Sequence, residues 1–128
     1  MAMTIKDLID SVNKLNVLIV EDGEDIREIM SSTLEKIFKT TRTAVDGEDG
    51  LKKFNEELPD IIISDIRMPN MSGNEMINKI KNINPNIPII VVSGHGRLID
   101  KENKADLFLN KPIKFDKLLE SIYNLTKS

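Results

Sequence analysis

The chain has 128 residues, the length of one ordinary domain and enough to bury a core of its own. It carries 18 Lys and Arg against 21 Asp and Glu, a net charge of −3, with no Trp and no Cys. That balance speaks against direct nucleic-acid binding, the missing cysteine excludes disulfides and thiolate metal sites, and no apolar run approaches the ~20 residues that insert across a membrane.

The N-terminus has no basic stretch followed by an apolar core, so no signal peptide is expected and the protein reads as cytoplasmic. Ile5, Leu8, Ile9, Val12 and Leu15 recur at helical spacing. Residues 1–15 are therefore expected to be an N-terminal extension. It is either a short helix resting on the domain or a disordered segment, with a part in dimerisation or partner docking as the alternative. Val17–Val20 is a continuous apolar run, as in a parallel strand buried on both faces. Ile26, Ile29, Met30, Leu34, Ile37 and Phe38 form the stripe of a core-facing helix. Thr41–Val45 is β-branched but more polar, which suits an edge strand. Leu51, Phe54 and Leu58 mark a second helix, and Ile61–Ile63 a second buried strand. Ser72 and Glu75 have capping-box spacing and open a helix over Met76, Ile77, Ile80 and Ile83 that closes at Asn84-Pro85. Ile89–Val92 and Leu107–Leu109 are further strands, and Phe115, Leu118, Leu119, Ile122 and Leu125 form the last helical stripe.

Strands alternating with helices imply an α/β fold with a five-stranded parallel sheet covered on both faces. Right-handed crossovers at this size favour the doubly wound, flavodoxin-like strand order 2-1-3-4-5. That order places the polar second strand at an edge. Residues 16–128 form this one domain, with no repeat, linker or second domain in view.

Ligands of open α/β sheets bind beyond the carboxyl ends of the strands. Glu21 and Asp22 follow the first strand there, Asp65 the third, Ser93 and Gly94 the fourth, and Lys111 the fifth. If the first and third strands are neighbours, three carboxylates converge. Two unit charges 4 Å apart repel by ~4 kcal/mol at an effective dielectric near 20, so a proton or a cation must relieve them. Oxygen-only ligands favour a hard ion, and Mg²⁺ fits. A carboxylate can also attack a phosphoryl group, given a metal, a cation and a hydroxyl donor around the transferred oxygens. Asp65, Ser93 and Lys111 are the candidate nucleophile, donor and cation.

Each residue has an ordinary explanation in isolation. Asp22 could cap the first helix, Ser93 could sit in a turn, Lys111 could be solvated, and Phe108 could pack in the core. Their joint placement at strand ends favours chemistry. A haloacid-dehalogenase-type phosphatase would want an acid two residues after the nucleophile, where Arg67 stands. A flavin-nucleotide binder would want a glycine- and hydroxyl-rich phosphate loop where Glu21-Asp22-Gly23-Glu24-Asp25 stands.

The stretches LIVEDGEDIRE, PDIIISDIRMPNMSG, IPIIVVSG and LFLNKP resemble the signature regions of response-regulator receiver domains, over residues 16 to 127. The resemblance implies a phosphorylated Asp65 and an Mg²⁺ ion held by Glu21, Asp22, Asp65 and the backbone carbonyl of Arg67. It implies a switch of Ser93 and the aromatic Phe108, a conserved-type Lys111 with a cis peptide to Pro112, and tuning of the rate by Arg67, Gly94 and His95. The donor would be a sensor histidine kinase or a histidine phosphotransfer domain, and the output a contact with a downstream protein of unknown identity, a homodimer included. The chain would be a signalling switch in a two-component phosphorelay, not an enzyme. The alternative is a receiver-like module that binds partners without phosphorylation. One departure stands out. Lys111 follows Ser93 by only 18 residues, and RLIDKENK offers only Leu98 and Ile99 as a stripe. The helix between the fourth and fifth strands is expected to be shortened to about one turn or replaced by a loop.

Overall fold

The computed structural model describes residues 3–94 and 103–127. Five parallel strands form one sheet in the order β2-β1-β3-β4-β5. They are β1 (Asn16–Val20), β2 (Thr40–Ala44), β3 (Ile61–Ser64), β4 (Ile89–Ser93) and β5 (Leu107–Asn110). The helices are α1 (Ile5–Val12), α2 (Glu24–Leu34), α3 (Gly47–Glu56), α4 (Gly73–Ile83) and α5 (Phe115–Thr126). The expected strand order is observed, with polar β2 at an edge. The segment between β4 and β5 falls largely at residues 95–102, so the expected shortening of its helix lies outside the described residues, as does His95.

Strand side chains alternate between faces, and the alternation sorts the core into two layers. Val17, Ile19, Ile61, Ile63, Ile90 and Val92 face α2 and α5, where they meet Leu34, Leu118, Leu119 and Ile122. Leu18, Val20, Ile62, Ile89 and Val91 face α3 and α4, where they meet Phe54, Met76, Ile77 and Ile80. The continuous isoleucine and valine runs exist because both faces are dry.

Residues 4–15 are ordered into this core. Thr4 and Asp7 close a reciprocal capping box at 3.1 Å each way, which starts α1. Leu8 and Val12 then bury themselves in the α2/α5 layer, each stabilising by roughly 1.5–3 kcal/mol. At α4 the N-cap is Ser72, whose hydroxyl accepts from the Glu75 amide, and the helix ends at Ile83, as the sequence suggests.

Some readings of the sequence do not hold. Ile26 and Ile29 are 44% and 67% exposed, not part of the core. Ile29 instead lines an open cleft of about 200 Å³ with Met30, Leu34, Ile113, Phe115 and Leu118. Of the two readings of Phe108, core packing is the one that its 42% exposure disfavours. On β5 it is Leu107 and Leu109 that turn toward the core layer.

Candidate functional site

The register sets the site. Val20 pairs with Ser64 across β1 and β3, so the next residues, Glu21 and Asp65, leave adjacent strands side by side. The Asp65 amide donates to the Val20 carbonyl at 3.1 Å, and the Glu21 amide to the Ala44 carbonyl at 3.0 Å, so both backbones are fixed. Glu21, Asp65 and Lys111 each continue the alternation that faces α2 and α5. Ser93 and Phe108 follow the alternation of the other face, on β4 and β5.

Glu21, Asp22 and Asp65 each offer a carboxylate oxygen, and these oxygens lie within 4.8 Å of one another. Glu21 and Asp65 are buried and Asp22 is exposed. Lys111 Nζ lies 3.0 Å from Glu21 Oε1 and 3.0 Å from Asp65 Oδ2, donating to both. The second oxygen of Asp65, Oδ1, accepts from the Ile66 amide at 2.6 Å. Glu21 Oε2 accepts from the Gly23 amide at 3.3 Å. Burial raises the Glu21 carboxyl above its ordinary pKa, against the hydrogen bond from Lys111. Burial alone would lower Lys111, but its bonds to Glu21 and Asp65 outweigh that and hold the ammonium above its usual value. The lysine stays charged and splits its charge between two acids.

The donor set suits a hard divalent cation. It consists of oxygen only and contains one exposed and two buried carboxylates at the strand ends. Asp22 does not cap α2. The N-cap is Gly23, which leaves the Asp22 carboxylate uncommitted to that task. Ser93 is buried at the end of β4, and its carbonyl accepts from the Lys111 amide at 3.2 Å, which ties the two strand ends together. The Lys111-Pro112 peptide is cis, as the resemblance implies. Arg67 and Gly94 are both exposed.

Three residues that hold the loops after β1 and β3 were not singled out in the sequence. Arg27 Nη1 donates to the Glu21 carbonyl at 3.0 Å and to the Asp22 carbonyl at 3.4 Å, holding the acidic loop from α2. The signal was a lone base early in a helix that opens Glu24-Asp25. Asn70 and Asp46, 24 residues apart, join at 2.7 Å. Pro69-Asn70 advertises only a turn.

This geometry belongs to a known class. The response regulator receiver domain family model matches residues 17–123, so the chain belongs to that family. It is 37% identical over 108 residues to the probable transcriptional regulator ycf27 of Guillardia theta, covering 81% of this chain and 42% of that one. It is 32% identical over 119 residues to hybrid signal transduction histidine kinase D of Dictyostelium discoideum, covering 88% of this chain and 8% of that one. The chain thus spans less than half the length of these relatives. Among solved structures it resembles response regulator protein TrrA of Thermotoga maritima, in complex with Mg²⁺ and BeF, with a TM-score of 0.78 and 32% identity over 85% of this chain and 96% of that one. Receiver domains are signalling switches of two-component systems, and relatives of this chain include kinases and transcriptional regulators. No helix among the described residues is long and apolar enough to cross a membrane.

Proposed function

We propose that Asp65 accepts a phosphoryl group in an Mg²⁺-dependent reaction and that the chain signals through protein contacts. The supporting observation is the shared lysine: one ammonium within 3.0 Å of both Glu21 and Asp65, beside an oxygen cluster that includes Asp22. A carboxylate oxygen of Asp65 attacks phosphorus, the P–N bond of a phosphohistidine donor breaks, and the imidazole leaves with the electron pair. Glu21, Asp22, Asp65 and the Arg67 carbonyl would hold the cation, which supplies charge neutralisation when bound. Lys111 then exchanges its hold on Asp65 for a phosphoryl oxygen, and Ser93 donates its hydroxyl to another. Phosphorylation adds charge at the strand ends, and Ser93 and Phe108, on one face of neighbouring strands, carry that change outward. Arg67, Gly94 and His95 tune the rates of entry and loss.

In this reading residues 16–128 are the receiver unit and residues 1–15 an extension of it. The donor is a histidine kinase or a histidine phosphotransfer domain in the cytoplasm, and the output is another protein or a second copy of the chain. The test is the intact mass after incubation with acetyl phosphate and Mg²⁺, beside Asp65→Asn and an EDTA control. One added phosphoryl group in the wild type with metal, and in neither control, is expected. A blank with both acetyl phosphate and beryllofluoride would instead make this a phosphorylation-independent binding module.

A further inference from the structure

The loop that follows Asp65 is clamped from two sides. On one side the Gly73 amide donates to the Ile66 carbonyl at 2.8 Å, and a Cβ on Gly73 would sit 2.2 Å from the Asp65 carbonyl oxygen. The first residue of α4 therefore rests directly on the backbone of the acceptor aspartate. On the other side the Gly47 amide donates to the Met71 carbonyl at 3.1 Å, and a Cβ on Gly47 would sit 2.2 Å from that same oxygen. Between the two clamps lies Asn70, the one non-glycine residue with positive φ among the described residues, at 65°. That conformation is uphill for a residue with a side chain and persists only where its surroundings hold it.

Asp46 does the holding. Its Oδ2 accepts from Asn70 Nδ2 at 2.7 Å. Its Oδ1 accepts from the Asp49 amide at 2.8 Å and caps α3. One carboxylate thus starts a helix with one oxygen and fixes the turn of a distant loop with the other. The segment so fixed, residues 66–72, carries Arg67.

We propose that Asp46 and Asn70 are positioning residues for the phosphoryl-transfer site: their hydrogen bond sets the loop that presents the Arg67 carbonyl to the cation. The inference rests on the reading of the site given above. Neither side chain belongs to the acidic cluster, so they act through the loop backbone. Groups that orient metal ligands without touching the metal commonly change affinity by roughly 10–100-fold when removed. Acting at one remove on a single carbonyl, this bond should contribute about three- to tenfold.

The test breaks the bond from each end. Asn70→Gly keeps the backbone at ease, because glycine adopts positive φ freely. Asp46→Ser keeps a good N-cap but is too short to reach Asn70. Asp46→Asn can still cap through its oxygen and donate its amide to a rotated Asn70 side chain, so it re-forms the bond. Mg²⁺ affinity is measured by calorimetry at a temperature where every variant is folded, with metal-free melting recorded alongside. The expected result is weaker Mg²⁺ binding in Asn70→Gly and in Asp46→Ser, no further loss in the double variant, and recovery in Asp46→Asn. If the two single variants melt lower yet bind Mg²⁺ as the wild type does, the bond is only structural and the inference is overturned. If the wild type itself binds no Mg²⁺, the reading of the site fails first and takes the inference with it.

Discussion

Replacing Lys111 with Met tests whether the lysine is the counter-charge of the acidic cluster. In the protein without metal, Lys111 bonds both Glu21 and Asp65 at 3.0 Å, with acid side chains only 5% and 9% exposed. Removing the ammonium leaves two largely buried carboxylates whose oxygens lie within 4.8 Å. Unit charges at that separation repel by roughly 3–4 kcal/mol at an effective dielectric near 20. The variant need not bear all of it. Glu21 is already held above its ordinary pKa by burial, so it relieves the repulsion by taking up a proton. A net loss of about 2 kcal/mol remains, and for a domain of this size that lowers Tm by roughly 7 °C. The assay is thermal melting of wild type and Lys111→Met in EDTA and in excess Mg²⁺. Because the lysine no longer competes for the same oxygens, Mg²⁺ should raise the Tm of the variant by more than that of the wild type. A metal-free Tm within about 2 °C of the wild type, or an equal Mg²⁺ shift in both, would refute the reasoning.

Three further outcomes are expected. Gly73→Ala should cost about 2–3 kcal/mol in urea unfolding, since its Cβ would meet the Asp65 carbonyl oxygen at 2.2 Å and the Ile66 Cα at 2.8 Å. Gly94→Ala, which meets nothing within 4 Å, should change stability by less than about 0.5 kcal/mol. Asp46 is held below its ordinary value of 3.8, first by the Asp49 amide and then by Asn70. A carboxyl whose folded pKa is depressed stabilises the fold above its unfolded value and loses that contribution as pH falls through the folded one. Urea midpoints should therefore fall less between pH 6 and pH 3 in Asp46→Ser than in the wild type, and parallel curves would contradict the assignment.

Much of this architecture was legible because buried parallel strands leave a strong trace. Ile61–Ile63 and Ile89–Val92 are continuous apolar runs only because both faces of the sheet are dry. Once their carboxyl ends are found, Glu21, Asp65 and Lys111 fall together by strand order and alternation. Helical periodicity was less informative. It marked Ile26 and Ile29 as one face of a helix, but a stripe does not say what covers it, and α5 stops short of covering Ile29. Alternation on β5 placed Leu107 and Leu109 inward and left Phe108 outside. Contacts between loops had no periodic trace at all. Asp46 and Asn70 lie 24 residues apart and read as a cap and a turn. Only the fold makes them one bond.

The two ends of the sheet are built on opposite principles, and this bears on how a switch can sit on so small a core. At the amino ends of the strands Asp60, Lys81 and Asp106 each have fixed partners. Asp60 accepts from the Asn16 amide at 2.7 Å, and Asn16 accepts from the Thr40 hydroxyl at 2.7 Å, which binds the starts of β1, β2 and β3. Lys81, buried on α4, donates to the Ile87 carbonyl at 2.6 Å and to Asp106 at 2.8 Å, and Asp106 accepts from the Ile89 amide at 2.8 Å. That network joins the starts of β4 and β5 to α4. At the carboxyl ends Glu21 and Asp65 share one lysine beside a third acid, Asp22, and Asn70 sits at positive φ. Strain and unbalanced charge persist only where the rest of the structure over-determines them. The satisfied end supplies that constraint. The crowded end is then free to change its partners without unfolding the sheet, and the phosphorylation proposed above would require that freedom.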